Sequence, residues 1–113
     1  MGSLFLVLKA SPEQEQHAHF VWNLAQAAEA QGHTVTIHVF GDGIYFLVPG
    51  TNGVGPTGVA ESADKENLNL MYCNFNVVQR GLENKVLESA RKASTTDASI
   101  EFLKHDRVLM ISG

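Results

Sequence analysis

The chain has 113 residues, 44% of them hydrophobic, which is enough for one domain with a real core and too few to suggest two. Its formal net charge is -4, and its 8 basic residues are scattered along the chain. Since affinity for nucleic acids rests largely on clustered Lys and Arg, we expect a single domain over residues 1–113 with no direct nucleic-acid partner.

The apolar run at residues 4–8 is far shorter than the roughly 20 residues of a membrane span. No basic leader or small-residue cleavage site accompanies it. We therefore expect a soluble, unexported protein with no membrane partner. The one cysteine, Cys73, cannot form an intrachain disulfide, which favours the reducing cytoplasm.

The first third of the chain predicts a strand, a helix and a second strand. Residues 3–9 form a continuous apolar run, the pattern of a strand buried on both faces of a parallel sheet. Residues 11–14 (SPEQ) predict a helix start, and Gly32 predicts its end. The predicted core-facing stripe of this helix comprises Phe20, Val21, Leu24, Ala25 and Ala28.

Trp22 lies off that stripe, which predicts a half-exposed side chain available to a partner subunit. Residues 33–40, which are rich in β-branched side chains, predict the second strand. Together these elements predict a βαβ unit, whose crossover is right-handed in nearly all known cases.

The remaining chain continues the alternation of strands and helices. After a turn at residues 41–43 and a short apolar segment at 44–48, residues 49–66 predict a long Gly- and Pro-rich loop. Residues 67–72 predict a strand and 73–80 a helix that Gly81 ends. Residues 82–93 are ambiguous, and one interpretation is a helix followed by a short strand around 85–89. Residues 94–97 predict a helix start, with Ile100 and Leu103 facing a core, and 107–112 predict a buried closing strand.

A literal G-x-G-x-x-G occurs at Gly53, Gly55 and Gly58. In a dinucleotide site these glycines follow a strand directly and open a helix, so that the helix N-terminus meets the pyrophosphate. Residues 49 and 50 separate this motif from any strand, and no apolar helix follows. We therefore expect no nucleotide cofactor.

The histidines do not have the spacing of a metal site. His17 and His19 are two residues apart on a predicted helix, where they point to different faces, and we interpret them as solvated surface residues. His33 and His38 are an odd step apart on a strand and so face opposite sides. No metal is expected.

Two carboxylates are weaker candidates for a catalytic role. Asp42 and Asp106 each lie at an element boundary, where turn and capping roles are common, and we favour those roles.

Cys73 stands apart because of its position. It follows a predicted strand, at the carboxyl edge of a parallel sheet where open α/β folds keep their ligand sites. It also starts a predicted helix, whose partial positive charge favours a thiolate. A small buried hydrophobe is the competing interpretation of a free cysteine, and position alone does not decide between them. Arg80 lies two turns along the helix, too far to assist directly.

Four segments form a set of motifs along the chain: FVWNLAQAAEAQGH, VFGDGI with Asp42 and Gly43, CNFNVVQRGL beginning at Cys73, and HDRVLMIS at the end. Together they resemble the DsrE/DsrF-like (DsrE/TusD) sulfur-relay family. The resemblance covers most of the chain, and the Cys-to-Arg-Gly block and the Asp-Arg-Val strand are its most specific parts. The segment LENKVLESARKAS departs from the larger relay subunits.

The resemblance implies a sulfurtransferase that holds sulfane sulfur as a persulfide on Cys73. The partners that it implies are donor and acceptor proteins with reactive cysteines, in sulfur oxidation or tRNA thiolation, together with a homo- or hetero-oligomer, a trimer or hexamer. The alternative is a non-catalytic oligomeric subunit or a small-ligand binding module with an inert Cys73. The expected fold is a single α/β domain with a mainly parallel four- or five-stranded sheet flanked by helices, in a flavodoxin/Rossmann-like three-layer arrangement.

Overall fold

The computed structural model describes residues 2–9, 15–48, 68–86 and 90–112. Within these ranges the chain forms a five-stranded sheet in which every neighbouring pair is parallel. The strands are β1 (Ser3–Lys9), β2 (Thr34–Val39), β3 (Leu68–Cys73), β4 (Arg91–Ala93) and β5 (Arg107–Ser112). The predicted parallel α/β architecture is confirmed, with five strands.

Helices connect these strands. They are α1 (Glu15–Ala30), a 3-10 helix (Gly41–Leu47), α2 (Asn74–Gln79) and α3 (Thr95–Lys104). No helix in the described ranges is long and apolar enough to cross a membrane. The predicted helix start at residues 11–14 and the G-x-G-x-x-G at 53–58 lie outside the described residues.

The strand order places the helices on the two faces of the sheet unequally. The order is β4-β3-β2-β1-β5, so the chain advances in one direction from β1 to β4 and then returns to the far side of β1. Right-handed crossovers put the helix of that returning connection, α3, on the opposite face from α1 and α2. We call these faces the α1 face and the α3 face.

The main core lies on the α1 face. Strand residues such as Leu6, Ile37 and Tyr72 pack there against α1 and against Val77 of α2. Successive side chains of a strand point to opposite faces, so their neighbours Phe5, Val7 and Met71 belong to a smaller cluster on the α3 face. This double burial explains why β1 reads as a continuous apolar run.

Two predictions about α1 are wrong. Trp22 is 6% exposed and packs in the core, whereas Phe20 is 52% exposed. The core-facing stripe is centred on Val21, Trp22 and Ala25, which rotates it away from Phe20. A bulky indole removes more apolar area from water than a phenyl ring at the same depth, which favours this rotation.

The α3 face is thinly covered. No residue of α3 is buried, and Ile100 and Leu103 are 54% and 83% exposed, which contradicts their predicted place in a core. The reason is that α3 turns small and polar side chains such as Ala98 and Ser99 towards the sheet. Its large apolar side chains therefore lie at the rim of the contact between helix and sheet. A pocket remains between helix and sheet, as described below.

Local signals at the helix ends agree with the structure. Gly32 ends α1 with a φ of 89°, a left-handed conformation that glycine adopts without strain. Ser94 caps α3 in a capping box: its hydroxyl accepts from the Asp97 backbone N–H, and its own N–H donates to the Asp97 carboxylate. By contrast, β4 lies at Arg91–Ala93, and residues 85 and 86 of the short strand suggested around 85–89 are not in a strand, while residues 87–89 lie outside the described residues.

Candidate functional site

Cys73 is the last residue of β3, at the carboxyl edge of the sheet. In the parallel pairing of β3 with β4 it lies opposite Ala93, and the residue after Ala93 caps α3. Because Tyr72 points into the core of the α1 face, Cys73 points to the α3 face. The thiol is half-buried, free of any disulfide, and close to the beginning of α3.

No hydrogen bond joins the Cys73 thiol to the backbone amides of α2 that were expected to stabilise a thiolate. Cys73 is the N-cap residue of α2, but its side chain makes no capping hydrogen bond. The physical reason is the strand alternation: α2 lies on the α1 face, where Val77 packs in the core, whereas the thiol lies on the other side of the sheet. Activation of the thiol by the amides of α2 stays a prediction.

The thiol opens onto a pocket of about 490 Å³ between the sheet and α3. The sheet supplies the floor, formed by Phe5, Val7, His38, Phe40 and Met110. The start of α3 and its sheet-facing side form the wall, with Ser94, Thr95, Ala98, Ser99, Phe102 and Leu103. None of these lining residues is Asp, Glu, Lys or Arg, so the pocket is predominantly apolar.

His38 is the least expected part of that floor. It is 7% exposed, and its ring lies between Phe5 and Phe40, with centroids 6.3 Å and 6.0 Å away. Its buried Nδ1 has no hydrogen-bond partner among the described residues. Burial lowers the pKa of His38 from 6.5 to about 4, so the imidazole is neutral near neutral pH.

A polar cluster attaches the far end of α3 to the sheet. Thr36, 1% exposed on β2, lies with its Oγ1 3.4 Å from Glu101 Oε1 and 3.2 Å from His105 Nε2. The other ring nitrogen of His105 lies 2.7 Å from the backbone oxygen of Glu101, and the ring stacks on Phe5. These contacts hold the wall of the pocket in place although α3 buries no apolar residue.

The two charged residues nearest α2 have a structural role. Arg80 donates from Nε and from a terminal guanidinium nitrogen to Asp42 Oδ1, at 3.1 Å and 2.8 Å. Asn76 Oδ1 accepts from the Gly41 N–H at 2.9 Å. Both contacts tie α2 to the 3-10 helix that follows β2. Asp42 therefore stabilises the connection beside the site, in agreement with the favoured structural role.

Asp106 lies at the opposite end of the sheet from Cys73. Its carboxylate accepts from the Ser3 N–H and hydroxyl, and its own N–H donates to Ser3 Oγ. His33 Nδ1 accepts from the Gly2 N–H nearby. Since parallel strands bring their amino ends together, these residues join the starts of β1 and β5 and are separate from the thiol.

The two helical histidines differ from each other. His19 is exposed, as expected, but His17 is half-buried, and its Nδ1 is buried with no partner among the described residues. The interpretation of His17 as a solvated surface residue is therefore wrong. No group of three or more His, Cys, Asp or Glu among the described residues could hold a metal ion.

Comparison with known proteins shows the fold and no activity. No protein-family model matches the chain, and neither does any curated protein. The YchN protein of E. coli is similar in structure, with a TM-score of 0.84 and 15% identity over 98% of this chain and 100% of that one. MTH1491 of Methanobacterium thermoautotrophicum, described as a protein of unknown function, has a TM-score of 0.72 and 13% identity, with the same coverage. At these identities the likeness shows a shared fold alone.

Proposed function

We propose that this protein is a cytoplasmic sulfur carrier that holds sulfane sulfur as a persulfide on Cys73 and passes it to a cysteine of a partner protein. The observation that carries the proposal is the position of the chain's one thiol. Cys73 lies at the carboxyl edge of a parallel sheet, half-buried, and lines a pocket in which none of the described residues is Asp, Glu, Lys or Arg. The resemblance of CNFNVVQRGL to sulfur-relay proteins supports the same role.

The chemistry needs one thiol and no external oxidant. The Cys73 thiolate attacks the outer sulfur of a donor persulfide, a new S–S bond forms at Sγ, and the donor S–S bond breaks. Its electron pair leaves with the donor thiolate. An acceptor thiolate then attacks the outer sulfur of the Cys73 persulfide and releases the Cys73 thiolate. With no second cysteine in the chain, transfer to a thiol outside the chain is the only thiol–disulfide route.

The pocket offers the persulfide a protected place. A persulfide adds one sulfur atom beyond Sγ, and apolar walls formed by Phe40, Ala98 and Met110 shield it from water and from stray thiols. The wall also limits access, which favours transfer to a partner that docks at the carboxyl edge. Whether the pathway is oxidative or biosynthetic depends on that partner, because the carrier chemistry is the same.

The exposed apolar side chains of α3 and β5 favour self-association as part of the proposal. Phe102, Leu103 and Met110 are all more than half exposed and neighbour one another around the pocket rim. Exposed apolar patches of this kind mark interaction surfaces more often than isolated surface residues do. Sedimentation velocity would measure the oligomer, for which a trimer or hexamer is expected.

Intact mass spectrometry tests the carrier directly. Wild-type protein incubated with cysteine persulfide and desalted should gain the mass of one sulfur atom, and dithiothreitol should remove it. Cys73→Ser is the matched control, since it keeps the size of the side chain and removes the nucleophile. The proposal would be contradicted if the wild-type mass stayed unchanged with cysteine persulfide in large excess. It would also be contradicted if Cys73→Ser gained the same mass as the wild type.

A further inference from the structure

We propose that the pocket beside Cys73 also binds an uncharged, mainly apolar small molecule that carries one hydrogen-bonding group for the ring of His38. This inference does not depend on persulfide chemistry. It follows from three properties of the pocket: its size, the absence of Asp, Glu, Lys and Arg among the described lining residues, and the ring of His38 in its floor.

The size is that of a small-molecule site. A volume of about 490 Å³ lies within the range in which small ligands are bound by proteins. The space exists because α3 turns Thr95, Ala98 and Ser99 towards the sheet, and these side chains are too short to fill it. Phe5 in the floor is 2% exposed and stacks on His105, so the half-buried ring of Phe40 is the aromatic surface that a flat ligand can contact.

The lining selects against a charged ligand. None of the described lining residues is Asp, Glu, Lys or Arg, and His38 is neutral near neutral pH. Lys9 contacts the ring of Phe40, with Nζ 5.7 Å from the centroid, and does not line the pocket. A carboxylate or ammonium group would therefore lose its hydration inside the pocket without gaining an ion pair.

The ring of His38 supplies the polar contact. The ring lines the pocket, but its Nδ1 is closed to solvent and lacks a partner among the described residues, so Nε2 is the nitrogen that a ligand in the pocket can reach. In a neutral imidazole Nε2 is a donor or an acceptor, depending on the tautomer. A ligand hydroxyl can accept from Nε2 or donate to it, whereas a hydrocarbon can do neither, so a hydroxyl-bearing ligand should bind more tightly than its hydrocarbon parent.

Three bicyclic aromatic probes test each property separately: 2-naphthol, naphthalene and 2-naphthoate. They share one ring system and differ in having a hydroxyl, no polar group or a carboxylate. Binding is measured by NMR titration of protein carrying ¹⁵N-labelled histidine, in which the His38 ring nitrogens report directly on the contact. We expect 2-naphthol to bind about fivefold more tightly than naphthalene, the effect of one modest hydrogen bond. We expect 2-naphthoate to bind most weakly, and only 2-naphthol to shift the His38 nitrogens strongly.

Two variants give matched controls. His38→Phe keeps a flat ring between Phe5 and Phe40 and removes both nitrogens, so it should bind the two uncharged probes with equal affinity. Ala98→Trp fills the pocket from the α3 wall and should abolish binding of both. If either variant fails to fold, the wild-type nitrogen shifts still decide.

Several results would overturn the inference. They are no binding of 2-naphthol to wild type up to its solubility limit, tightest binding of 2-naphthoate, or an unchanged preference for 2-naphthol in His38→Phe. Burial of Phe102, Leu103 and Met110 under a second copy of the chain, with no probe bound, would also overturn it. Failure of Cys73 to load sulfur would leave the inference intact, and failure of 2-naphthol to bind would leave the carrier proposal intact.

Discussion

Cys73 and Ala93 are register partners at the carboxyl ends of β3 and β4, and the residue that follows Ala93 begins the cap of α3. The pairing therefore fixes where α3 starts relative to the thiol. Anything that loosens this start should change access to Cys73.

Loss of the α3 cap should destabilise the fold and expose the thiol. Ser94→Ala removes the hydroxyl that accepts from the Asp97 N–H, and we expect the free energy of unfolding to fall by about 1 kcal/mol. The rate of Cys73 alkylation by iodoacetamide should rise as the helix start frays. Thr96→Ala, at an exposed position in the same turn, is the control and should change the free energy of unfolding by less than about 0.5 kcal/mol. Equal effects in both variants would show that the cap does not control access.

The same cap should respond to acid. The backbone N–H of Ser94, followed by its hydroxyl, lowers the pKa of Asp97 from its usual 3.8. A lowered folded pKa means that the stabilisation is present above pH 3.8 and is lost as pH falls through the lower folded value. Asp97→Asn should therefore remove part of the acid sensitivity, measured by urea unfolding between neutral pH and strong acid. An identical pH profile in the variant would contradict this.

Burial of His38 should make the fold less stable in moderate acid. Its pKa is about 4 in the folded protein against 6.5 when unfolded, so the unfolded chain binds more protons as pH falls through that window. The contribution of neutral His38 to the free energy of unfolding is fully present above pH 6.5 and is lost as the pH falls towards 4, by about 3 kcal/mol in total. Urea unfolding across this range should show the loss in wild type and its absence in His38→Phe. Parallel curves for the two proteins would refute the assignment.

Two aromatic substitutions test which side of α1 faces the core. Trp22→Ala should lower the free energy of unfolding by about 3–5 kcal/mol, because it opens a large cavity beneath the helix. Phe20→Ala should cost less than about 1 kcal/mol, because half of that ring is already in water. Denaturant titration of both variants gives the comparison. A larger loss for Phe20→Ala would restore the orientation that spacing alone predicted.

β1 was predictable because burial on both faces leaves a continuous apolar run in the chain. The closing strand at residues 107–112 and the cap at Ser94 also lie where the residues indicate them. The predicted burial of the closing strand is wrong, because none of residues 107–111 is buried and Met110 is 60% exposed on the thinly covered α3 face. The position of Cys73 at a strand end was equally visible. These features depend on neighbours within a few residues of one another.

The pocket was not predictable, because it depends on contacts between distant parts of the chain. Phe5, His38 and Phe40 come together through strand pairing, and only the alternation of His38 with Phe40 hinted that they share a face. The exposure of Leu103 follows from the single helix on the α3 face, which the strand order determines. The predicted orientation of α1 was wrong at Trp22, because the spacing of apolar residues takes no account of side-chain size.

The central claim is that Cys73 receives and releases one sulfur atom, and a loading-and-discharge measurement by intact mass tests it most directly. Protein loaded with cysteine persulfide is desalted and mixed with a thiol-bearing acceptor peptide, and both masses are followed in time. We predict that the protein loses one sulfur atom as the peptide gains one, with no transfer from Cys73→Ser. A wild-type protein that never gains the sulfur, or that never releases it to any thiol, would contradict the carrier.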